Sequence, residues 1–398
     1  MICLIDADGF FAACELSRNP QLRGKPVMVL GSIGSFVLAK SQEAKERGVK
    51  TVMPYWEAKK LCPDGIFLEG DFRFYTLVSR RLMAILREWC PVAQVSSIDE
   101  AYLDLTGMDQ LYGSSFFEVG DMIRKDIQQK LGITVTVGIS VNKVLAKMVC
   151  EDKKPNGTAL LLKEESEGFL SQKEIESIPG IGRQKVKKLE NYGFKNALEL
   201  SKMPISLVKH LFGRNGLMLW RELHGEYMFR VEAERKPPKQ IGRTSSLHRP
   251  TSNLRDIEGL AFFHLERSID ALHRHELAVG ELHLYLKKQD FKHTYLSQVF
   301  ERHTDDFFQL STALKKCLNQ IPPGQTWRSA GVILTNLKSS KIKQLSLFDG
   351  IEKIKKEERL NQAKDELNQR FGQFTLTTAS SLFYERKRRK DEEKLDLI

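Results

Sequence analysis

Acidic side chains follow two apolar segments of the sequence, and their types and positions suit the binding of metal ions. Asp6 and Asp8 lie at the end of the apolar run I-C-L-I-D (2–6), and Asp99 and Glu100 lie in a turn between two β-like runs. Carboxylates beside an apolar strand cost free energy unless they are paired or bind a cation. Oxygen ligands with no His or Cys beside them suit Mg²⁺. Three carboxylates from two adjacent strands could therefore hold two Mg²⁺ ions for phosphoryl chemistry.

Two considerations leave other interpretations of these acids open. Neighbouring residues of a strand point to opposite faces, so Asp99 and Glu100 can share a site only if the turn rotates them together. Most aspartates near the ends of elements cap helices or turns. For either motif alone, capping is the commoner role.

The elements that must position these acids alternate in type over residues 1–165. Apolar β-like runs occur at 2–6, 27–31, 36–40, 93–97, 101–105 and 133–139. Helical periodicity occurs near 41–48, 54–61, 72–89, 115–131 and 142–151, where Asn142 is a predicted helix cap. The Gly/Ser turn at 31–35 predicts a hairpin between the two runs that flank it. This mixture predicts an α+β sheet with helices on one face.

The rest of the chain divides at a predicted linker. Residues 166–228 lack β-like runs and indicate short helices broken by Gly and Pro. The stretch V-E-A-E-R-K-P-P-K-Q (231–240) has two prolines and no apolar periodicity, which is typical of a linker. From 241 to 337 the pattern predicts strands at 241–246, 281–286, 295–300 and 330–334, and helices at 254–276 and 306–320.

The composition indicates a globular protein with an acidic partner. The 398 residues are 41% hydrophobic and carry a net charge of +11, which favours nucleic acid or an acidic membrane surface. No run approaches the ~18 apolar residues of a membrane span, and Asp6 lies where a secretion signal has its apolar core. The six cysteines form no C-x-x-C motif, which predicts reduced, structural thiols. We therefore expect a cytoplasmic protein without membrane segments.

Six blocks of the sequence, in order, resemble the Y-family (translesion) DNA polymerases over residues 1–380. They are D-A-D-G-F-F-A-A-C-E (6–15), L-R-G-K-P-V-M-V (22–29), S-Q-E-A-K-E-R-G-V-K (41–50), S-I-D-E-A-Y-L-D (97–104), T-V-G-I-S-V-N-K-V-L-A-K (136–147) and K-K-P-N-G (153–157). The chain is most similar to the UmuC-like branch, which includes UvrX-type proteins of bacteria, phages and plasmids. The resemblance implies a low-fidelity enzyme that adds deoxynucleotides to a primer and bypasses damaged DNA.

The family fold implied by this resemblance is an α+β multidomain, right-hand polymerase. Its parts would be a ferredoxin-like palm (1–21 and 71–165), small fingers (22–70), a helical thumb (166–230), a linker (231–240), an α/β little finger (241–340) and a tail (341–398).

By the same resemblance, Asp6, Asp99, Glu100 and the carbonyl of Ala7 hold two Mg²⁺ ions that promote attack by the primer 3′-hydroxyl. Phe11 matches the steric gate, where a bulky ring clashes with a ribose 2′-hydroxyl. The small residues near this strand suggest a tolerant site, so we expect bulky substitutions at Gly9 or Ala12 to narrow lesion bypass.

Nucleotide binding is implied for five positions: Phe10, Phe11, Gln42, Lys45 and Lys154. Two consecutive Phe that open a helix are usually core residues, and this interpretation stays open for Phe10. Gln42 stands where the family often has an aromatic hydroxyl, so the way phosphate is held there differs.

Two further segments resemble family parts that bind DNA and a clamp. I-P-G-I-G-R-Q-K-V-K-K-L (178–189) resembles a helix-hairpin-helix, which binds phosphates through backbone N–H groups and basic side chains. Its implied DNA contacts are Gly180, Gly182, Arg183 and Lys185, to which Arg243 in the little finger is added. Q-L-S-L-F (344–348) resembles the bacterial sliding-clamp peptide, with Gln344, Leu345, Leu347 and Phe348 as contacts.

The expected partners are thus primer–template DNA, dNTP, the sliding clamp and accessory polymerase subunits, and the expected location is at the nucleoid. Two alternatives remain. A nucleotidyl cyclase also binds two metals through carboxylates on a palm-like sheet, but it needs neither a helix-hairpin-helix nor a clamp peptide. A non-catalytic recruiter would bind DNA and clamp, but it has no use for clustered carboxylates.

Overall fold

The computed structural model describes residues 1–31, 35–234, 236–341, 359–360, 363–364, 366–368, 370–372 and 374–395. The chain forms two compact units, Met1–Arg235 and Lys236–Ile398. The side chains of His248 and of residues 388–395 are outside this description.

A five-stranded sheet organises the first unit. Its strands are β1 (Ile2–Ala7), β5 (Ala93–Val95), β6 (Glu100–Asp104), β7 (Val135–Ser140) and β8 (Thr158–Leu160), in the order β5-β6-β1-β7-β8. The central strand β1 pairs antiparallel with both β6 and β7, and all six of its residues are buried. The mixed α and β architecture was predicted correctly, but the three-residue strand β8 was missed.

Helices cover both faces of this sheet, so the prediction that they lie on one face is wrong. The helices are α1 (Phe10–Arg18), α4 (Phe72–Trp89), α5 (Met108–Tyr112), α6 (Phe116–Leu131) and α7 (Lys143–Lys153). One core cluster joins Ile5 to α4 and α6, whereas Leu4 packs against α7 on the other side. Gly138 permits the close approach of α7, because a Cβ there would lie 2.2 Å from the Ala146 carbonyl.

A smaller sheet with its own core lies between α1 and α4 in the sequence. It contains β2 (Val27–Leu30), β3 (Val37–Lys40) and β4 (Ile66–Glu69), in the order β3-β2-β4. The antiparallel hairpin of β2 and β3 is confirmed, while β4 was not predicted. Helices α2 (Gln42–Glu46) and α3 (Tyr55–Leu61) complete this part.

Residues 166–223 form helices that pack against the N-terminal part of α7. The helices are α8 (Ser166–Ser171), α9 (Arg183–Asn191), α10 (Ala197–Ser201) and α11 (Ile205–Leu223). Their apolar side chains form one cluster with Val144, Leu145 and Met148 of α7. Asn142 caps α7 as predicted, since its Oδ1 accepts a hydrogen bond from the Leu145 N–H at 3.0 Å. Its amide also donates to the Glu222 carbonyl at 2.7 Å, which ties α7 to α11.

The second unit is an antiparallel four-stranded sheet with two helices on one face. Its strands are β9 (Ile241–Thr251), β10 (Leu277–Lys287), β11 (His293–Thr304) and β12 (Trp327–Ser339), in the order β11-β10-β12-β9. Helices α12 (Leu254–Arg274) and α13 (Phe307–Leu318) cover alternate residues of β10, namely Leu282, Leu284 and Leu286. All six elements agree with the sequence pattern.

A C-terminal helix, α14 (Ala379–Leu395), packs along the outer side of α12. Gly259 of α12 faces the Ser380 carbonyl, which a Cβ would approach to 2.9 Å. The buried carboxylate of Glu266 accepts hydrogen bonds from the Thr377 hydroxyl and from the Thr378 N–H. Lys387 contacts both oxygens of Asp256 at 2.7 Å. The end of the chain is therefore part of the second unit.

The thiols agree with the sequence analysis: the six cysteines, Cys3, Cys14, Cys62, Cys90, Cys150 and Cys317, are buried and free. Within the described ranges, no helix has both the length and the apolar character needed to cross a membrane.

Buried His264 makes the stability of the second unit dependent on pH. Burial, together with the charges of Arg267 and Arg243, lowers the pKa of His264 to about 4. Its Nε2 lies 2.9 Å from the Ser245 hydroxyl, and its Nδ1 has no partner among the described residues. Below pH ~6.5 the unfolded chain binds a proton that the folded unit excludes, so the free energy of unfolding falls as the pH drops towards 4, by about 3 kcal/mol.

We therefore expect His264→Gln to remove most of this loss of stability between pH 6.5 and 4. Urea unfolding of the full chain at several pH values, with hydrogen exchange assigned to the second unit, measures it. His293→Gln, at an exposed position of β11, is the matched control and should leave the slope unchanged. An unaltered slope in His264→Gln would contradict the assignment.

Candidate active site

The pairing of β1 with β6 brings the predicted acids together. Asp6 and Glu100 are directly opposite in the antiparallel register, so their side chains share one face, with Cβ atoms about 5 Å apart. Asp99 directly precedes β6, and its carbonyl accepts a hydrogen bond from the Ala7 N–H at 3.0 Å. The Ser97 hydroxyl shapes this turn, because it contacts the Asp99 carboxylate and accepts from the Glu100 N–H at 3.1 Å. The turn thus joins three carboxylates at one end of the sheet.

Two lysines of the α7 segment pair with these acids. Lys154 Nζ lies 2.9 Å from Asp6 Oδ1, and it also contacts Glu151 Oε1 at 2.7 Å. Lys147 Nζ lies 2.6 Å from Glu100 Oε2. Across the parts of the chain that the structure describes, no three His, Cys, Asp or Glu side chains form a set that already surrounds a single point. The carboxylates of Asp6 and Glu100 are directed at ammonium groups, whereas that of Asp99 contacts the Ser97 hydroxyl.

The two opposed carboxyl groups have unequal proton affinities. Burial raises the pKa of Asp6 to about 6, against the opposing effect of Lys154 and with added repulsion from Glu151 and Asp99. Burial acts in the same direction on Glu100, but hydrogen bonds from Lys147 and Ser96 outweigh it and lower the pKa of that carboxyl. The negative charge at Asp6 is thus incompletely compensated. A set of hard oxygen donors with such a deficit fits divalent cations such as Mg²⁺.

Asp8 has a structural role instead. Its Oδ1 accepts from the Thr136 hydroxyl at 2.7 Å, and its Oδ2 accepts from the Asn156 N–H at 2.9 Å. These bonds fasten the segment that carries Lys154 to the end of the sheet.

An aromatic stack holds the Phe11 ring beside this site. Phe11 stacks on Tyr75, with ring centroids 4.8 Å apart and planes 20° apart, and meets Phe72 edge-on at 5.7 Å. Tyr75 is fully buried and its hydroxyl donates to Glu15 Oε1 at 2.7 Å. Phe11 is therefore half-buried in a fixed orientation, whereas Phe10 is 3% exposed and lies in the core.

Gly9 and Ala12, the two small residues expected to make the site tolerant, have structural roles in a turn and in the core. Gly9 has a left-handed conformation (φ 54°), and a Cβ there would lie 2.9 Å from the Lys40 carbonyl. Ala12 is 1% exposed within the core of the five-stranded sheet. Bulky substitution at either position would strain the turn or the core, so it would not test lesion bypass cleanly.

The predicted nucleotide-binding residues of α2 lie at the surface of the small sheet. Gln42 and Lys45 are exposed, and the Gln42 amide donates to Glu46 Oε1 at 3.0 Å. Lys40, at the end of β3, was missed: partial burial and the charge of Lys45 lower the pKa of its ammonium group. Two cations this close favour an anion between them. The backbone carbonyl of Lys40 lies beside Gly9 in the turn between β1 and α1, and its ammonium group donates to the Thr51 hydroxyl at 3.0 Å.

The glycine-rich turn before α9 has the predicted features. Gly180 adopts φ 88°, and Gly182 caps α9 without a side-chain hydrogen bond. Arg183 and Lys185 are exposed in the first turn of α9, and Lys185 Nζ donates to the Gly180 carbonyl at 2.8 Å. The N–H groups at the start of α9 are thus free of side-chain caps and flanked by cations.

The remaining predicted contacts lie in the second unit. Arg243 is exposed on the edge strand β9, opposite Val332. Val332 belongs to the core under the helices, so Arg243 lies on that side of the sheet edge. The clamp-peptide residues Gln344, Leu345, Leu347 and Phe348 lie outside the described residues.

Lys147 and Lys40 are the residues of this site that sequence reasoning missed. Lys147 ends one of the blocks that resemble the polymerase family, and this position was the available signal. Nothing in the local pattern distinguishes Lys40 from an exposed strand residue.

Comparison with known proteins gives consistent results. Residues 5–151 match the model of the impB/mucB/samB family, and residues 238–347 match the model of its C-terminal domain. The chain is 32% identical over 386 residues to DNA polymerase IV of Desulfatibacillum aliphaticivorans, covering 96% of both chains.

Solved structures agree with this relationship. The chain is similar to a Y-family DNA polymerase chimera of Dbh and Dpo4, with a TM-score of 0.70 and 28% identity over 85% of this chain and 99% of the chimera. It is also similar to an insertion ternary complex of Dbh DNA polymerase, with a TM-score of 0.59 and 26% identity at the same coverage.

Proposed function

Because the chain belongs to the impB/mucB/samB family of Y-family DNA polymerases, we propose that Asp6, Asp99, Glu100 and the Ala7 carbonyl hold two Mg²⁺ ions in its active site. The enzyme is a low-fidelity, DNA-directed DNA polymerase that copies past damaged bases. A divalent metal is its cofactor, and the identity and number of ions are our proposal. The cyclase and the recruiter are not favoured, since similar proteins are named as polymerases.

The observation that carries the proposal is the register that sets Asp6 opposite Glu100, with Asp99 in the adjoining turn. Ions held by these residues would lower the pKa of the primer 3′-hydroxyl and would offset the charge of the triphosphate and of the leaving pyrophosphate. The three carboxylates would hold the ions in a fixed position at the end of a rigid strand. Lys154, which Asp8 and Asn156 help to position, would bind triphosphate by exchanging its contacts with Asp6 and Glu151 for the phosphate oxygens.

Primer–template DNA and dNTP are the partners that the polymerase activity requires, and the ternary complex of the similar Dbh polymerase supports them. We propose that Lys45, Gln42 and Lys154 contact the triphosphate, with Phe11 on the sugar side. The ring of Phe10, which was also expected to bind nucleotide, lies in the core next to Phe11. We propose that Gly180, Gly182, Arg183 and Lys185 bind the DNA backbone, and that Arg243 adds a phosphate contact at the edge of β9.

The domain assignment is also proposed. The palm (1–21 and 71–165) contains the five-stranded sheet, the fingers (22–70) the small sheet, and the thumb (166–230) the helices α8 to α11. The border between the two compact units, at Arg235 and Lys236, supports a linker at 231–240. The four-stranded sheet supports a little finger at 241–340. We further propose that Gln344, Leu345, Leu347 and Phe348 in the tail (341–398) bind the sliding clamp and that the enzyme acts at the nucleoid.

The metal site is tested by Asp99→Ala/Glu100→Ala. We expect primer extension with dNTPs and Mg²⁺ to fall by at least about 10³-fold, because the lost carboxylates supply about 4 kcal/mol of charge stabilisation. Binding of primer–template should persist. The control, Glu164→Ala/Glu167→Ala, makes the same change of charge at exposed positions and should extend normally. Primer extension by Asp99→Ala/Glu100→Ala would refute the metal site. If the purified wild-type enzyme does not extend the primer, the assay would be repeated with accessory subunits.

The steric gate is tested by Phe11→Ala. Removing the ring should raise the use of ribonucleotides relative to deoxynucleotides by about 10–100-fold, because a clash worth about 1–3 kcal/mol is relieved. Single-nucleotide incorporation of ATP and dATP gives this ratio. Phe117→Ala removes an equal ring from an exposed site on α6 and should not alter it. An unchanged ratio in Phe11→Ala, with dATP still used, would exclude the gate.

The clamp peptide is tested by Leu347→Ala/Phe348→Ala. Apolar anchors of this kind contribute at least about 2 kcal/mol, so affinity for a bacterial sliding clamp should fall by about 30-fold or more. Calorimetry with purified clamp measures this. Leu360→Ala/Leu367→Ala removes exposed apolar side chains elsewhere in the tail and should retain affinity. Equal binding by both variants would eliminate the peptide as the clamp contact.

A further inference from the structure

Helix α7 and its C-cap residue present two ammonium groups to two opposed carboxylates. Lys147 and Lys154 are seven residues apart, about two helical turns, so they project from one side of this segment. Lys147 Nζ lies 2.6 Å from Glu100 Oε2, and Lys154 Nζ lies 2.9 Å from Asp6 Oδ1. The proposed function gives Lys154 a task at the triphosphate. It gives Lys147 none.

Lys147 occupies the coordination space of Glu100. One oxygen of this carboxylate accepts from Lys147, and the other accepts from the Ser96 hydroxyl at 2.7 Å. The Glu100 side chain is only 14% exposed, so little water is available to replace a lost partner. A metal ion that binds Glu100 therefore competes with these two groups for its oxygens.

The lysine is the group suited to leave. Its head is a compact, strongly hydrated charge on a flexible stem, and its side chain is 30% exposed, so it can return to water. Without any cation, Glu100 would face Asp6 across the strand pair with like charge, which is destabilising. The same ammonium group thus stabilises the metal-free site and opposes metal binding.

We infer that Lys147 is a positioning residue that stands in for a metal ion: it neutralises Glu100 in the metal-free enzyme and is displaced when the metal binds. This inference rests on the proposed metal site. Lys147 thereby keeps the acidic site folded between catalytic cycles and weakens its affinity for divalent cations.

The test compares Lys147→Met, which keeps the stem and removes the charge, with wild type and with Lys147→Arg. Mn²⁺ binding to the full chain is followed by electron paramagnetic resonance, and thermal unfolding is followed with and without Mg²⁺. Lys130→Met is the matched control, because Lys130 pairs with Asp126 at 2.9 Å on the surface of α6.

We expect Lys147→Met to bind Mn²⁺ about tenfold more tightly than wild type, because the competing cation is gone. Its metal-free Tm should fall by about 2–4 °C and recover in Mg²⁺ by more than the wild-type shift. Lys147→Arg should retain the wild-type affinity within about threefold, since it keeps the charge, and Lys130→Met should not alter Mn²⁺ affinity.

Three results would overturn the inference. Weaker Mn²⁺ binding by Lys147→Met would mean that the lysine helps to hold Glu100 for the metal. A lower Tm with unchanged Mn²⁺ affinity would mean a purely structural ion pair. Absence of Mn²⁺ binding in every variant would instead refute the metal site itself, so the two failures are distinguishable.

Discussion

The register between β1 and β6 is the constraint on which the rest of this protein depends. It sets Asp6 opposite Glu100 at the end of a strand that is otherwise apolar and buried on both faces. Such a concentration of charge is stable only with cations beside it. Those cations are Lys147 and Lys154. Gly138 lets α7 approach the sheet, which positions Lys147, and Asp8 fastens the segment that carries Lys154.

The proposed gate and two of the proposed metal ligands, Asp6 and Ala7, lie on one short, rigid stretch of chain. Asp6 belongs to β1, Phe11 to the first turn of α1, and only the left-handed Gly9 turn separates the two elements. The stack of Phe11 on Tyr75, and the bond from Tyr75 to buried Glu15, fix the ring against the same core that holds β1. The sugar and the phosphates of a nucleotide would therefore be held by parts that cannot shift independently.

Much of this fold follows from local pattern. Apolar runs of four or more residues became strands, and the Asn142 cap before α7 was visible because its chemistry is local. The missed elements are short: β8 has three residues, β4 four and α5 five. The coverage of both faces by helices depends on Gly138, whose significance appears only when α7 is in place.

The residues of the candidate site also differ in how far the sequence predicted them. The acids were identifiable because charge at the end of an apolar strand is anomalous in itself. The pairing of Lys147 with Glu100 was not, because it spans 47 residues of sequence and an isolated lysine is normally a solvated surface residue. Lys40 became notable only through its closeness to Lys45. The acids could thus be identified from sequence motifs, whereas the lysines that pair with them could be identified as their partners only from the tertiary structure.

The docking of α14 on α12 has a practical consequence for protein preparation. Sandwiched between the sheet and α14, α12 buries two acids, Asp256 and Glu266, and leaves Gly259 without a side chain to cover its backbone. A chain shortened after β12 would expose the face of α12 that α14 covers. Asp256 would lose its contact with Lys387, and Glu266 would lose its hydrogen bond from Thr378. Shortened samples would be prone to self-association, so crystallisation of the second unit should retain the whole C-terminus.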